Sequence, residues 1–153
     1  MSTPAIPATG SSEGAATDVA ETFGIAASGP IRMPATFTFD CYGIPFDAAM
    51  VVAENESGAR LTVRGRLGTV PYSAECPTTR QYMHAIVDAG KELPFADLSL
   101  TSGQAVVARG TMDFPEMPSP ASVAAGASVI VVALKPVIEL MTACREMAKA
   151  RRA

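Results

Sequence analysis

The sequence has few of the residues from which metal sites and disulfides are built. Its 153 residues include one histidine, His84, three cysteines and no tryptophan, and no Cys-x-x-Cys pair occurs. A zinc site of Cys and His ligands therefore cannot be assembled within one chain. The odd number of cysteines excludes complete intramolecular disulfide pairing and favours a reducing compartment. We expect no metal site, no cofactor and a cytoplasmic location.

Charge is also sparse. Charged residues make up 18% of the chain and the formal net charge is −3, whereas nucleic-acid binders usually carry clustered positive charge. We therefore expect no nucleic-acid partner. The longest charge-free apolar run, residues 121–134, ends at Lys135 and is shorter than the roughly 20 residues of a membrane-spanning helix. This run is interpreted as a core or interface segment, with no membrane span.

The sequence offers no assembled catalytic constellation. His84 has no serine or cysteine at a spacing that links the two as base and nucleophile. The carboxylates Asp88, Glu92, Asp97, Asp113 and Glu116 are scattered singly, and no glycine-rich phosphate loop is present. The absence of these patterns favours a protein that binds over one that catalyses.

Hydrophobic periodicity predicts a single α+β domain over residues 17–153, preceded by a disordered tail over residues 1–16 that is rich in Pro, Gly, Ser and Ala. A short helix is predicted over residues 17–27. An antiparallel sheet of about five strands follows, packed by a central helix that begins near Pro77 and by a long C-terminal helix. Leu61, Val63, Gly65 and Leu67 are predicted to share the inner face of one strand, with arginines on its outer face.

The last segment carries a heptad-like apolar seam that begins after Ser119 and Pro120. Two interpretations stay open for residues 128–134, because Pro136 and a β-branched run oppose a straight helix. A helix kinked at Pro136 is favoured over a strand followed by a helix. Several further apolar residues lie off the seam, so a single layer of sheet cannot cover the helix and a second interface is expected. These residues are Val129, Val131, Val132, Ala133 and Ile138.

The element order and residues 61–147 resemble the type III secretion chaperone-like fold and the related bacterial sensory-regulator domains. The resemblance rests on the strand end at residues 64–71, the helix after Pro77, the hairpin start at residues 93–100 and the closing helix after Pro118-Ser119-Pro120. It implies a homodimer without catalytic residues that holds segments of other proteins on its sheet and helix surfaces.

Two functional hypotheses follow. The first is a homodimeric chaperone or adaptor that grips an apolar segment of a protein partner. Its predicted partner-binding residues are Val63, Leu67, Val106 and Met112 on the sheet, and Ile130, Leu134, Val137 and Met141 on the helix. The second is a small-molecule or nucleotide sensor in which Arg60, Arg64 and Arg66, with Tyr72 or Tyr82, bind an anion.

Overall fold

A computed structural model describes residues 31–55, 57–72 and 76–151. It contains five strands: β1 (Ala35–Cys41), β2 (Ile44–Val52), β3 (Ala59–Thr69), β4 (Ala96–Leu100) and β5 (Ala105–Phe114). Two α-helices accompany them, α1 (Pro77–Ala89) and α2 (Pro120–Ala150), and a short 3₁₀ helix (Gly90–Glu92) follows α1. The α+β class predicted from the sequence is confirmed. The predicted tail over residues 1–16 and helix over residues 17–27 lie outside the described residues.

The five strands form one antiparallel sheet in the order β1-β2-β3-β5-β4. A two-residue turn joins β1 to β2, and its residues Tyr42 and Gly43 both have positive φ, 54° and 72°, as a type I′ hairpin turn requires. The chain between β3 and β5 leaves the sheet to form α1 and returns through β4, so β3 lies at the centre of the sheet and β4 at one edge.

Alternation along β3 separates the two faces of the sheet. Ala59, Leu61, Val63, Gly65 and Leu67 are buried beneath the helices, while the arginines between them are exposed. The predicted orientation of this strand is confirmed. The physical cause is the two-residue period of a strand, which places successive side chains on opposite faces.

Helix α2 begins where the sequence predicts, with Ser119 as N-cap and Pro120 in its first turn. The Ser119 Oγ accepts a hydrogen bond from the Ser122 backbone N–H at 3.1 Å, which satisfies one of the free donors at the helix start. The helix continues through residues 128–134 and Pro136 to Ala150. The helical interpretation of residues 128–134 is therefore confirmed and the strand alternative is wrong.

One side of α2 packs on the inner face of β3, β5 and β4, and another contacts α1. Ile130, fully buried, sits on Gly110 of β5, where a Cβ atom would overlap the Ile130 Cγ2 and lie 3.0 Å from the Phe95 carbonyl oxygen. By length and composition α2 could also cross a membrane, and half of its most apolar window is buried inside the fold.

The core contains most of the residues that the sequence predicted to bind a partner. Seven of the eight are between 0% and 5% exposed, and Met112 is partly buried. The heptad-like seam of α2 and the inner face of the sheet pack against each other within one subunit, which leaves these seven little surface for a partner, and their role in partner binding stays a prediction. They are Val63, Leu67, Val106, Ile130, Leu134, Val137 and Met141.

The packing of Ile130 against Gly110 can be tested by its effect on stability. Gly110→Ala should lower the free energy of unfolding by about 1–3 kcal/mol, because the new methyl group displaces Ile130 in a closely packed core. Gly103→Ala is the matched control, since a Cβ atom there has no neighbour closer than 3.9 Å and should change stability by less than about 0.5 kcal/mol. Urea unfolding measures both, and equal effects would contradict the packing described.

Candidate functional site

An apolar groove lies between α1 and the C-terminal half of α2. It has a volume of about 590 Å³, within the size range of ligand and peptide sites. Its walls are formed by α1, by the segment after α1 and by α2. Tyr82, Ala85, Ile86 and Ala89 come from α1, Gly90 and Leu93 from the segment after it, and Pro136, Val137, Leu140, Ala143, Cys144 and Met147 from α2. We call this feature the α1–α2 groove.

The groove exists because each helix has more apolar surface than it buries. Helix α1 buries Met83 and Val87, and Tyr82, one position before Met83, is left 54% exposed. Across the groove, Leu140 is 53% exposed and Met147 is 46% exposed. Contiguous apolar side chains that are exposed at a concave surface often mark a site where a protein or a ligand binds.

The charged residues that lie near the groove walls in sequence are paired with each other, and none of these four lines the groove. Lys91 donates to Asp88 at 2.7 Å, which lowers the pKa of that carboxyl group, and Lys149 contacts Glu146 at 2.8 Å. In the floor, burial raises the pKa of the Cys144 thiol. The thiol is therefore protonated at neutral pH, and it adds a small apolar surface to the groove.

The outer face of the sheet, opposite the helices, is the second candidate site. Cross-strand pairing places Asp47, Arg64, Arg109 and Asp97 in one row across β2, β3, β5 and β4. All four side chains are exposed. The row brings two guanidinium groups together at its centre, with one carboxylate at each end. We call it the arginine row.

Arg60 lies on the same face but is paired. Its Nε donates to Asp113 Oδ1 at 2.6 Å, and its Nη2 donates to Oδ2 at 3.1 Å. The hydrogen bonds from Arg60 lower the pKa of the Asp113 carboxyl group and raise that of the guanidinium. A bidentate pair of this kind leaves little of the cation for another anion.

Arg64 differs from Arg60 in having no such partner. Among the described residues no carboxylate oxygen lies within 4.0 Å of its guanidinium, although Asp47 is its cross-strand neighbour. Arg64 lines a concavity of about 480 Å³ with Thr36, Thr38 and Thr62, whose hydroxyl groups can donate or accept hydrogen bonds. Arg66, further along β3, donates to Thr69 Oγ1 at 3.0 Å.

The structure therefore brings the three predicted arginines to one face and gives each a different environment. The predicted association of Tyr82 with them is wrong, because Tyr82 belongs to α1 and lines the groove on the other side of the sheet. Tyr72 is exposed beyond the end of β3. The sequence did not identify Arg109 as their neighbour, since the β3–β5 register that pairs it with Arg64 joins strands 36 residues apart.

Of the residues that line the groove, the sequence identified only Val137 as partner-binding. The apolar seam drew attention to the side of α2 that is buried, while the exposed side contained the useful signal. Val129 and Val132, noted as lying off the seam, are 42% and 63% exposed, so the expectation of excess apolar surface is confirmed for them. Val131 and Ile138 are buried in the core.

The fold and the two surfaces define a small α+β domain with a helix–helix groove on one side of its sheet and a polar face on the other. Comparisons with protein-family models, curated proteins and solved structures found no significant match to this chain. The resemblance to secretion chaperones and sensory regulators therefore stays a prediction.

Proposed function

We propose that this protein is a non-enzymatic cytoplasmic binding module that holds an apolar helical segment of a protein in the α1–α2 groove. The observation that carries the proposal is the set of large apolar side chains exposed on both walls of this groove, Tyr82, Leu140 and Met147. Cys41 and Cys144 form no disulfide among the described residues, which fits a reducing compartment.

The nature of the groove walls supports a helical occupant. Both walls are helices whose backbone donors and acceptors are used in their own hydrogen bonds, except at Pro136, which has no N–H to donate. An extended segment lying between them would leave its N–H and C=O groups unpaired, which is costly away from water. A helix satisfies its own backbone and can present an apolar face to the groove.

Site-specific photo-cross-linking tests the proposal. A benzophenone amino acid at Ala85, an exposed small residue in the α1 wall, should yield an adduct with one discrete protein in the native extract. The same probe at Ser102, in the exposed β4–β5 turn, is the control and should yield none. Leu140→Glu on the opposite wall should reduce the adduct at least about tenfold, because a carboxylate would be desolvated there.

The proposal fails if position 85 gives no protein adduct, or the same adducts as position 102. It also fails if Leu140→Glu leaves the adduct unchanged, because the captured protein would then contact α1 without occupying the groove. Circular dichroism of the Leu140→Glu protein provides the folding control, and the exposed location of this side chain predicts a native spectrum.

A second candidate function is an anion sensor, favoured by the Arg64 guanidinium, which has no ion pair among the described residues and lies in a concavity lined by three threonines and Asp47. Arg64→Ala should weaken binding of a nucleotide or phosphorylated metabolite about tenfold or more, since charge-assisted hydrogen bonds contribute about 1.5–3 kcal/mol each. Arg60→Ala is the matched control and should change binding little, because Asp113 already occupies that guanidinium. Calorimetric titration with inorganic phosphate and with mononucleotides compares the two proteins, and equal losses would exclude a site at Arg64.

A further inference from the structure

The exposed side of α2 carries a continuous apolar stripe. Viewed down the helix at about 100° per residue, seven apolar positions lie within about 40° of Pro136. No charged residue falls in this sector between the first and last of them. The seven exposed residues, which we call the α2 stripe, are Ala125, Val129, Val132, Pro136, Leu140, Ala143 and Met147. At 1.5 Å per residue the stripe is about 33 Å long.

The spacing of the stripe is the same in both directions. Successive members are separated by four, three, four, four, three and four residues, with Pro136 at the centre. Two copies of α2 packed antiparallel about a two-fold axis at Pro136 therefore place every member opposite another member. Such an interface is isologous, with one surface patch serving both subunits.

The sizes of the facing residues are complementary as well. The two-fold axis places Val129 opposite Ala143 and Ala125 opposite Met147. In each of these two pairs a larger side chain faces a smaller one. Val132 faces Leu140 closer to the axis. Alternation of large and small side chains lets two helices approach closely and interdigitate.

The α1–α2 groove fits the same arrangement. Helix α1 flanks only the C-terminal half of the stripe, because the α2 residues that line the groove run from Pro136 to Met147. In the antiparallel pair, the N-terminal half of the stripe from the second copy lies over this half. Its Val132 and Val129 would occupy the groove beside Leu140 and Ala143.

The charges beside the stripe are compatible with this pairing. Lys135 and Glu139 lie on the same flank, 3.9 Å apart within one helix. The two-fold axis places this flank beside the same flank of the second copy. Along the helix axis, each Lys135 is then about 3 Å from the Glu139 of the second copy. Lys135 and Glu139 of the two copies then contribute two cations and two anions, and Glu146, on the same flank, is paired with Lys149 of its own helix.

We propose that the helical segment in the α1–α2 groove is the N-terminal half of the α2 stripe from a second copy of this chain, in an antiparallel pair centred on Pro136. This inference rests on the proposed function, because it names the protein whose segment the groove holds. The expected dimer has the mass of two 15.8 kDa chains.

A charge-complementation experiment tests the register. Val132→Lys and Leu140→Glu should each weaken dimerisation about 30-fold or more, because each leaves a charge unpaired in an apolar interface. An equimolar mixture of the two variants should recover dimer, since the heterodimer joins the introduced ammonium to the introduced carboxylate and keeps one native Val132–Leu140 contact. Ala125→Glu replaces Leu140→Glu in the mismatched control mixture, which should not recover, because position 125 of one copy lies about 22 Å along the axis from position 132 of the other.

Light scattering across a range of protein concentrations measures the mass of each sample. A monomeric wild-type protein, or a matched mixture that dimerises no better than the mismatched one, overturns the inference. A wild-type monomer that binds phosphatidylcholine vesicles also overturns it and assigns the stripe to a lipid surface. Thermal unfolding checks that each variant is folded, which the exposure of all three positions predicts.

The photo-cross-link from position 85 shows whether a failure concerns only the second copy as occupant or also the proposed function of the groove. A monomeric wild-type protein whose position 85 captures a different protein leaves the proposed function standing and rejects the second copy as occupant. A dimer whose position 85 captures no protein, including a second copy, has an empty groove and contradicts both. An adduct with the mass of two chains supports both.

Discussion

Helix α2 has more apolar circumference than one face of a sheet can cover, and the other features of this structure depend on that excess. Its seam buries Ile130, Leu134 and Met141 against β3, β5 and their neighbours, with Gly110 leaving room for the Ile130 side chain. Burying this seam costs the helix few hydrogen bonds, because its backbone is internally bonded except at Pro136, which has no N–H. The opposite side of α2 remains apolar and exposed, and α1 extends that surface into a groove.

The sheet divides the molecule into two surfaces of different chemistry. The helix side is apolar and concave, whereas the outer face carries the arginine row and the Arg60–Asp113 pair. A desolvated apolar contact and an exposed ionic contact respond differently to salt, because only exposed charges are strongly screened. The two candidate functions can therefore be studied separately on one protein, and substitutions on one face should leave the other intact.

The sequence predicted the strands and both described helices because their periods are local properties. The inward residues of β3 and the N-cap at Ser119 could be read from a few neighbouring side chains. The partner-binding residues could not be identified from the sequence, because an apolar seam at heptad spacing is equally suited to a core or to an interface. Only the sheet register and the position of α1 show that Ile130 is internal while Leu140 is exposed, and these are contacts between distant segments. The sequence did not predict that Arg109 lies beside Arg64 for the same reason, since their contact also joins distant segments.

Disulfide trapping at the proposed two-fold axis tests the central claim most directly. In a Cys41→Ser background, which removes the half-buried native thiol, Pro136→Cys should form an intermolecular disulfide rapidly on mild oxidation, since the axis brings the two copies of this position within bonding range. Val132→Cys should form little intermolecular disulfide, because the two copies of position 132 are about 12 Å apart along the helix axis. Equal trapping at both positions, or faster trapping at 132, would contradict an antiparallel pair centred on Pro136.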